Sequence, residues 1–168
     1  QLQGASPTVA NGSVFVSTMA GALAAFDVPA GAQQWTSEPL NANRVAAYQD
    51  GVVYVSGEDG PYRAVDAATG KVLWESLIAS EAGILVASDD VLVIAELYAT
   101  PQDPDPAHHL VGLDAQSGVQ RWDVKLAGPP AAATRMGDRV LVLGWNNTLD
   151  AIGIADGQLV YSVDIGGK

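Results

Sequence analysis

The chain has no cysteine, and it has few basic residues: 8 lysines and arginines against 19 aspartates and glutamates in 168 residues. Without cysteine there is no disulfide framework, no thiolate zinc site and no cysteine nucleophile. The net charge of −11 lacks the basic footprint that nucleic acid binding requires, so no nucleic acid partner is expected. No apolar run approaches the roughly 20 residues that cross a bilayer, so we predict no membrane-spanning segment.

Catalytic and metal-binding patterns are also scarce. No Ser-His-Asp set has a meaningful spacing, and most aspartates fall in turns, where their oxygens satisfy turn amides. His108 and His109, close to Asp103 and Asp105, form a candidate metal cluster. Adjacent side chains point in different directions, however, and a loop fixes no ligand geometry. We therefore predict a solvated loop here, and a protein with no metal, no cofactor and no enzymatic activity.

The feature that the sequence does carry is an internal repeat. A Gly-x-x-x-Trp phrase recurs at Gly31–Trp35, Gly70–Trp74 and Gly118–Trp122, and it returns as Gly157–Tyr161 with tyrosine in place of tryptophan. The aromatic ends are 39, 48 and 39 residues apart. A period near 40 indicates repeated supersecondary units. We predict one domain over 1–168, made of four repeats at about 5–40, 41–79, 80–127 and 128–168.

Each repeat contains four short apolar segments separated by Gly, Asn and Asp, a pattern typical of strands. The second segment of each repeat, such as Val52–Val55 or Val91–Ala95, is apolar throughout instead of alternating. Such a run indicates a strand covered on both faces. Stacked antiparallel sheets around an axis provide this environment, so we predict an all-β fold of β-propeller blades with four antiparallel strands each.

The third repeat has nine extra residues between its second and third strands, which we predict to be Val91–Glu96 and Leu110–Leu113. The intervening stretch, 97–109, is rich in proline and acidic residues, which indicates a surface loop. Trp145 lies at the end of a second strand or in the loop that follows it, where it either packs at the rim or faces a ligand. The candidate partner-contact residues are Tyr98, Pro101, Asp103, Asp105, His108, His109 and Trp145.

The segment Ala64–Trp74 resembles the tryptophan-docking motif of PQQ-type β-propeller repeats, Ala-x-Asp-x-x-Thr-Gly-x-x-x-Trp, at every specified position. The other repeats keep part of the motif, and Gly153 replaces the aspartate of the fourth. The resemblance implies that the tryptophans pin neighbouring blades together. The docking residues are Asp27, Gly31, Trp35, Asp66, Thr69, Gly70, Trp74, Asp114, Gly118, Trp122, Gly157 and Tyr161.

The resemblance also implies a choice of functions. The family includes BamB-like outer-membrane assembly proteins, sensor domains of bacterial Ser/Thr kinases, and quinoprotein dehydrogenases that bind pyrroloquinoline quinone and calcium. The vicinal disulfide of many such dehydrogenases is impossible here, because the chain lacks cysteine. We expect a non-catalytic, protein-binding scaffold outside the cytoplasm, periplasmic or at the cell surface. The alternatives are a ligand-sensing domain of a larger receptor and a fragment of a quinoprotein dehydrogenase.

Four repeats leave the propeller short, because members of this family usually close their ring with seven or eight blades. We expect the chain to be part of a larger propeller, with further blades from the same gene or from another chain. Pairing with a second copy and closure as a compact four-bladed ring remain open alternatives. An open half-ring would leave apolar blade faces bare, which monomers avoid.

Overall fold

The computed structural model describes residues 7–42, 44–57, 61–79, 85–98 and 107–166. Over these ranges the chain forms strands and turns and no helix, and so no helix that is long and apolar enough to cross a membrane. The strands make four antiparallel sheets, each with four strands in chain order, as in propeller blades. The all-β propeller prediction is confirmed.

The first blade contains β1 (Thr8–Ala10), β2 (Ser13–Ser17), β3 (Leu23–Asp27) and β4 (Gln33–Thr36). The second contains β5 (Arg44–Gln49), β6 (Val52–Ser56), β7 (Pro61–Asp66) and β8 (Val72–Ala79). The third contains β9 (Leu85–Ala87), β10 (Val91–Tyr98), β11 (Ala107–Asp114) and β12 (Gln120–Lys125). The fourth contains β13 (Pro130–Met136), β14 (Arg139–Gly144), β15 (Thr148–Gly153) and β16 (Leu159–Asp164).

Local turn chemistry explains why the first two strands of a blade form a hairpin. Asn11 and Gly12 have φ angles of 48° and 76°, and Asp50 and Gly51 have φ angles of 45° and 84°. Two successive positive φ angles are what a two-residue hairpin turn needs, and Asn, Asp and Gly adopt them at least cost.

The β10–β11 hairpin is longer than the sequence predicts. Cross-strand pairing continues through Glu96 with His109 and Tyr98 with Ala107. The prediction that Tyr98, His108 and His109 lie in a loop is therefore wrong. Each added pair satisfies backbone groups that a loop would leave to water. The remaining loop residues, among them Pro101, Asp103 and Asp105, lie outside the described residues.

The chain divides into two compact units, Gln1–Glu81 and Ala82–Lys168, each with two blades. In the first unit the core joins Phe15, Leu23 and Ala25 of the first blade to Val53, Val55 and Val65 of the second. In the second unit it joins Val93, Leu110 and Trp122 of the third blade to Val140, Val142 and Ile152 of the fourth. The assignment of all four blades to a single domain stays a prediction.

Burial of the second strands follows the prediction in two blades and departs from it in two. Val53–Ser56 of β6 and Val91–Glu96 of β10 are buried without interruption. In β2 only Phe15 is buried, and in β14 only Val140 and Val142 are. The prediction of two covered faces is wrong for β2 and β14, because in each of these sheets the buried residues point to one face, and the alternate residues remain half-buried.

Candidate functional site

The turn between the third and fourth strands of each blade is built around an aspartate. In the second blade, Asp66 Oδ1 accepts hydrogen bonds from the Thr69 N–H, at 2.8 Å, and from the Thr69 hydroxyl, at 2.6 Å. The N–H of Gly70 donates to the Asp66 carbonyl at 2.8 Å, and Gly70 has a φ of 74°. The bond from the Thr69 side chain is the main reason why the pKa of Asp66 lies below its ordinary value. These contacts close the turn with a positive φ, which glycine adopts at the lowest cost.

The turn of the third blade carries an additional ion pair. Asp114 Oδ1 accepts from the N–H and the hydroxyl of Ser117, both at 2.8 Å, while Asp114 Oδ2 lies 2.5 Å from an Arg121 guanidinium nitrogen. The hydrogen bond from Arg121, followed by that from Ser117, lowers the pKa of Asp114 to about 2. In the first blade Asp27 keeps the backbone part of this arrangement, since its Oδ2 accepts from the Ala30 N–H at 2.8 Å.

In the fourth turn the carboxylate belongs to a residue that stands later in the turn than the aspartate of the other three. Gly153 stands at the aspartate position, and Asp156, three residues later, accepts the Gln158 N–H at 3.0 Å. A Cβ at position 153 would lie 2.5 Å from Asp156 Oδ1, so a side chain there would require the Asp156 carboxylate to shift. Matching the docking motif to the fourth repeat did not identify Asp156. The signal in the sequence was an acidic residue at the position that Thr69 and Ser117 occupy in the second and third repeats.

Two of the tryptophans reach from one blade to the next. The indole N–H of Trp35 donates to the carbonyl of Ala67 at 3.0 Å, and that of Trp122 donates to the carbonyl of Ile154 at 2.8 Å. Both acceptors directly follow the aspartate position of the next blade. A buried indole needs such an acceptor, so the hydrogen bond sets the ring's position against the neighbouring sheet.

The glycines of the motif receive these rings. A Cβ on Gly70 would lie 2.6 Å from the Trp35 ring, and one on Gly157 would lie 2.8 Å from the Trp122 ring. Within a blade, a Cβ on Gly112 would lie 2.1 Å from Trp122. Trp122 therefore lies flat between two glycines of different blades and is only 8% exposed. We call Gly31, Gly70, Gly118 and Gly157 the docking glycines, and the aromatic residues four positions later the docking rings.

The other docking residues differ in exposure. Trp74 is buried, and its ring centroid lies 6.0 Å from that of Tyr54 in the same blade. Gly118 is buried like Gly70 and Gly157, whereas Gly31 is exposed. Tyr161 is 37% exposed. The first docking glycine and the last docking ring are thus the most open members of the set.

Trp145 lies on a different edge of its blade, in the connection between β14 and β15. Its side chain is 75% exposed, while its N–H donates to the Pro129 carbonyl at 2.9 Å. Asn146 packs against Gly128, and Asn147 has a φ of 61°. The connection is therefore held in place while its indole points to solvent, so the structure does not support a packing role for Trp145. In the first blade the corresponding connection exposes Met19, at 97%.

His109 is not a solvated loop residue. It lies on β11, is 7% exposed, and its Nδ1 lies 2.6 Å from Asp123 Oδ1 of the adjacent strand. Glu96, also buried, stands opposite it in the sheet. Among the described residues, no group of three His, Cys, Asp or Glu side chains is arranged to hold a metal ion. The contact with Asp123 therefore satisfies the buried His109 imidazole within the blade.

The whole chain resembles proteins of one family. Residues 1–167 match the family model described as outer membrane protein assembly factor BamB. The chain is 28% identical over 169 residues to outer membrane protein assembly factor BamB of Yersinia pestis, covering 89% of this chain and 40% of that protein. It is 36% identical over 83 residues to 1-butanol dehydrogenase (cytochrome c) of Thauera butanivorans, covering 42% of this chain and 12% of the dehydrogenase.

A solved structure of similar fold is the quinohemoprotein alcohol dehydrogenase of Comamonas testosteroni. It superposes with a TM-score of 0.71 at 17% identity and covers 95% of this chain and 34% of that one. At this identity the similarity concerns the fold alone. The chain spans well under half of the length of each of these proteins.

Proposed function

Because the chain belongs to the family described as outer membrane protein assembly factor BamB, we propose that it is a non-catalytic scaffold that binds proteins outside the cytoplasm. The relative from Yersinia pestis is named for outer-membrane assembly, which supports a place in the bacterial envelope. The partner class that fits this name is a protein of outer-membrane assembly. The relatives described above do not favour the alternative of a ligand-sensing receptor domain.

The observation that carries the proposal is the exposed indole of Trp145. A large aromatic side chain gains most when a partner removes it from water, and such residues dominate protein interfaces. The backbone of Trp145 is held by the hydrogen bond to Pro129 and by the packing of Asn146 on Gly128. The loop therefore loses little conformational entropy when a partner binds. The edge of second-to-third strand connections is therefore the proposed contact surface.

The proposal is tested with a photo-reactive amino acid at position 145 and, in a second variant, at position 119. Val119 is a matched control, because it is also exposed and apolar, at 64%, but lies in a docking turn instead of a second-to-third strand connection. In bacterial envelope fractions we expect a discrete cross-link to an outer-membrane assembly protein from position 145 only. Equal cross-linking from both positions, or none from position 145, would contradict the proposal.

Affinity for the cross-linked protein gives a second measurement. Trp145→Ala is expected to weaken binding by at least about tenfold, the effect of losing an interface residue worth about 1.4 kcal/mol or more. Val119→Ala is expected to leave the affinity unchanged. Because both side chains are exposed, neither substitution should alter the melting temperature by more than a few degrees.

A second candidate function, quinoprotein chemistry, is favoured by the similarity to 1-butanol dehydrogenase. That similarity covers 83 residues and 12% of the enzyme. Among the described residues, no three carboxylate or imidazole groups are gathered as a candidate cation site. Titration with pyrroloquinoline quinone and Ca²⁺ is the test. A saturable change in quinone absorbance would favour the enzyme, and an unchanged spectrum would favour the scaffold.

A further inference from the structure

The two blade surfaces on which Trp35 and Trp122 lie are made of the same kinds of residue at equivalent positions. Trp35 lies on Gly70, beside Val53, Val55 and Val65 of the second blade, all of which are buried. In the fourth blade the same positions are Gly157, Val140, Val142 and Ile152, and they receive Trp122 in the same way. We call this surface, a docking glycine with its three apolar neighbours and the carbonyl acceptor, the receiving face of a blade.

The first blade has a receiving face that is open. A Cβ on Gly31 would meet no atom within 4 Å, although Gly31 has the same positive φ, 64°, as the other docking glycines. Its apolar neighbours, Val14, Val16 and Phe26, stand 39 residues before their counterparts in the second blade and are only half-buried. Val28, whose carbonyl corresponds to that of Ala67, is 50% exposed. No ring of the described residues lies on Gly31.

The fourth blade has the opposite surface, the one from which a docking ring projects. We call it the donor face. Tyr161 stands at the position of Trp122 but is 37% exposed instead of 8%. Around it Leu141, Leu143 and Leu149 are half-buried and Val163 is exposed. The counterparts of this surface in the first blade include Phe15 and Leu23, which are fully buried. The donor face of the fourth blade thus exposes a contiguous apolar surface, which monomers rarely leave to water.

We propose that the donor face of one copy of the chain docks on the receiving face of a second copy. The Tyr161 ring lies on Gly31 of the other copy, and its hydroxyl donates to the Val28 carbonyl. The second copy is the occupant that the structure supports, because one chain carries both halves of a contact that it already makes twice within itself. Two copies together also bring eight of the four-stranded sheets that the structure describes.

The salt dependence of this association distinguishes it from one that is held by ion pairs. Each copy carries a net charge of −11, so two copies repel each other in dilute salt. The named contacts are apolar, apart from one hydrogen bond between uncharged groups, and none of them is weakened by screening. The association is therefore expected to strengthen as salt is added, whereas an association held by ion pairs would weaken.

The test measures the mass of the full chain by sedimentation equilibrium over a wide concentration range. We expect a mass at least twice that of one chain. Gly31→Asn adds a side chain to the open receiving face, at a φ that asparagine tolerates, and it should raise the dissociation constant by at least about thirtyfold, the effect of a typical interface hot spot. The control is Gly137→Asn, because Gly137 has a φ of 62° and equally open surroundings but lies in the β13–β14 turn.

Mixing two variants tests the direction of the contact. Gly31→Asn keeps the donor face, and Tyr161→Ala keeps the receiving face, so each alone should be a monomer and a mixture should form a 1:1 complex. This result is specific to a contact between position 31 of one copy and position 161 of the other, because an interface that paired each face with the same face of the other copy could not be restored in this way. A wild-type chain that stays monomeric at all concentrations, or an association that Gly31→Asn leaves unchanged, would overturn the proposal. Neither result bears on the cross-linking at Trp145.

Discussion

The docking glycine meets two structural requirements at one position. It closes the turn with a positive φ, and it leaves the space in which the ring of the preceding blade lies. The first requirement follows from the turn sequence, but the second involves Trp122 and Gly157, which are 35 positions apart, and depends on the packing of two sheets. Substitutions that separate the two requirements therefore measure how much the ring contact contributes.

Comparing Gly157→Ala with Gly137→Ala, both in the second unit, separates the cost of the positive φ from the cost of filling the space for the ring. Both residues have similar φ angles, 69° and 62°, so both substitutions should cost about 1–2 kcal/mol of backbone strain. A Cβ at position 157 would also lie 2.8 Å from the Trp122 ring, whereas one at position 137 meets nothing within 4 Å. We expect Gly157→Ala to lower the free energy of unfolding by about 1–3 kcal/mol more than Gly137→Ala. Equal losses in urea denaturation would contradict the docking role.

The carboxylate of Asp114 makes stability depend on pH. Its folded pKa of about 2 lies below its ordinary value of 3.8, mainly because of Arg121. Ionisation therefore favours the folded state above about pH 4, and this contribution is lost as the pH falls from about 4 to about 2. We expect Asp114→Asn to lower the free energy of unfolding at neutral pH by about 1 kcal/mol, since the pair is partly exposed to solvent.

The same substitution should flatten the acid limb of the stability curve between pH 4 and 2. Asp138→Asn is the control, because Asp138 is 90% exposed and its nearest partner, Arg139, lies at 3.6 Å. Chemical denaturation repeated across this pH range provides the measurement. A curve for Asp114→Asn with the same slope as the wild-type curve would show that the pair does not titrate with folding.

Among the elements, the β10–β11 hairpin departs most from the sequence prediction. Adjacent histidines after a proline-rich stretch are typical of a solvated loop. In the sheet, however, alternate residues point to opposite faces, and this places His109 beside Asp123 on the adjacent strand. Strand residues thus extend into the segment that composition assigns to a loop.

Two shortened hairpins test this boundary. Replacing residues 101–106 by Asn-Gly retains every observed strand pair, so the free energy of unfolding should change by less than about 0.5 kcal/mol. Replacing residues 101–109 by the same dipeptide also removes His109 from its pairing with Glu96 and Asp123. We expect this variant to lose about 2–3 kcal/mol, because buried polar groups lose their partners. Similar thermal denaturation of both variants would place the loop boundary where the sequence predicts it.

At the scale of the whole molecule, the dominant property is the excess of acidic residues. With a net charge of −11 at pH 7, single copies repel each other and polyanions. The repulsion vanishes near the isoelectric point of about 4.2, where we expect the lowest solubility. Turbidity measured from pH 3 to 8 checks this expectation. A minimum of solubility near neutral pH would indicate that the apolar faces, and not the net charge, control association.

The sequence by itself determined the repeat, the strands, the hairpin turns and the propeller class. Each of these depends on residues a few positions apart or on the period of the repeat, and such relations are visible along the chain. Sequence patterns also identified the docking glycines and rings by resemblance, although Asp156 and the extension of β10 and β11 toward the tip of their hairpin escaped them.

Only the tertiary structure decided which rings and receiving faces are covered. Trp35 and Trp122 donate to carbonyls 32 residues further along the chain, and the change from tryptophan to tyrosine in the fourth repeat does not by itself show that Tyr161 is exposed. The same holds for Gly31, which matches Gly70 in sequence but has no ring on it. Burial is a property of neighbouring sheets, and a repeat carries no information about whether a neighbour is present.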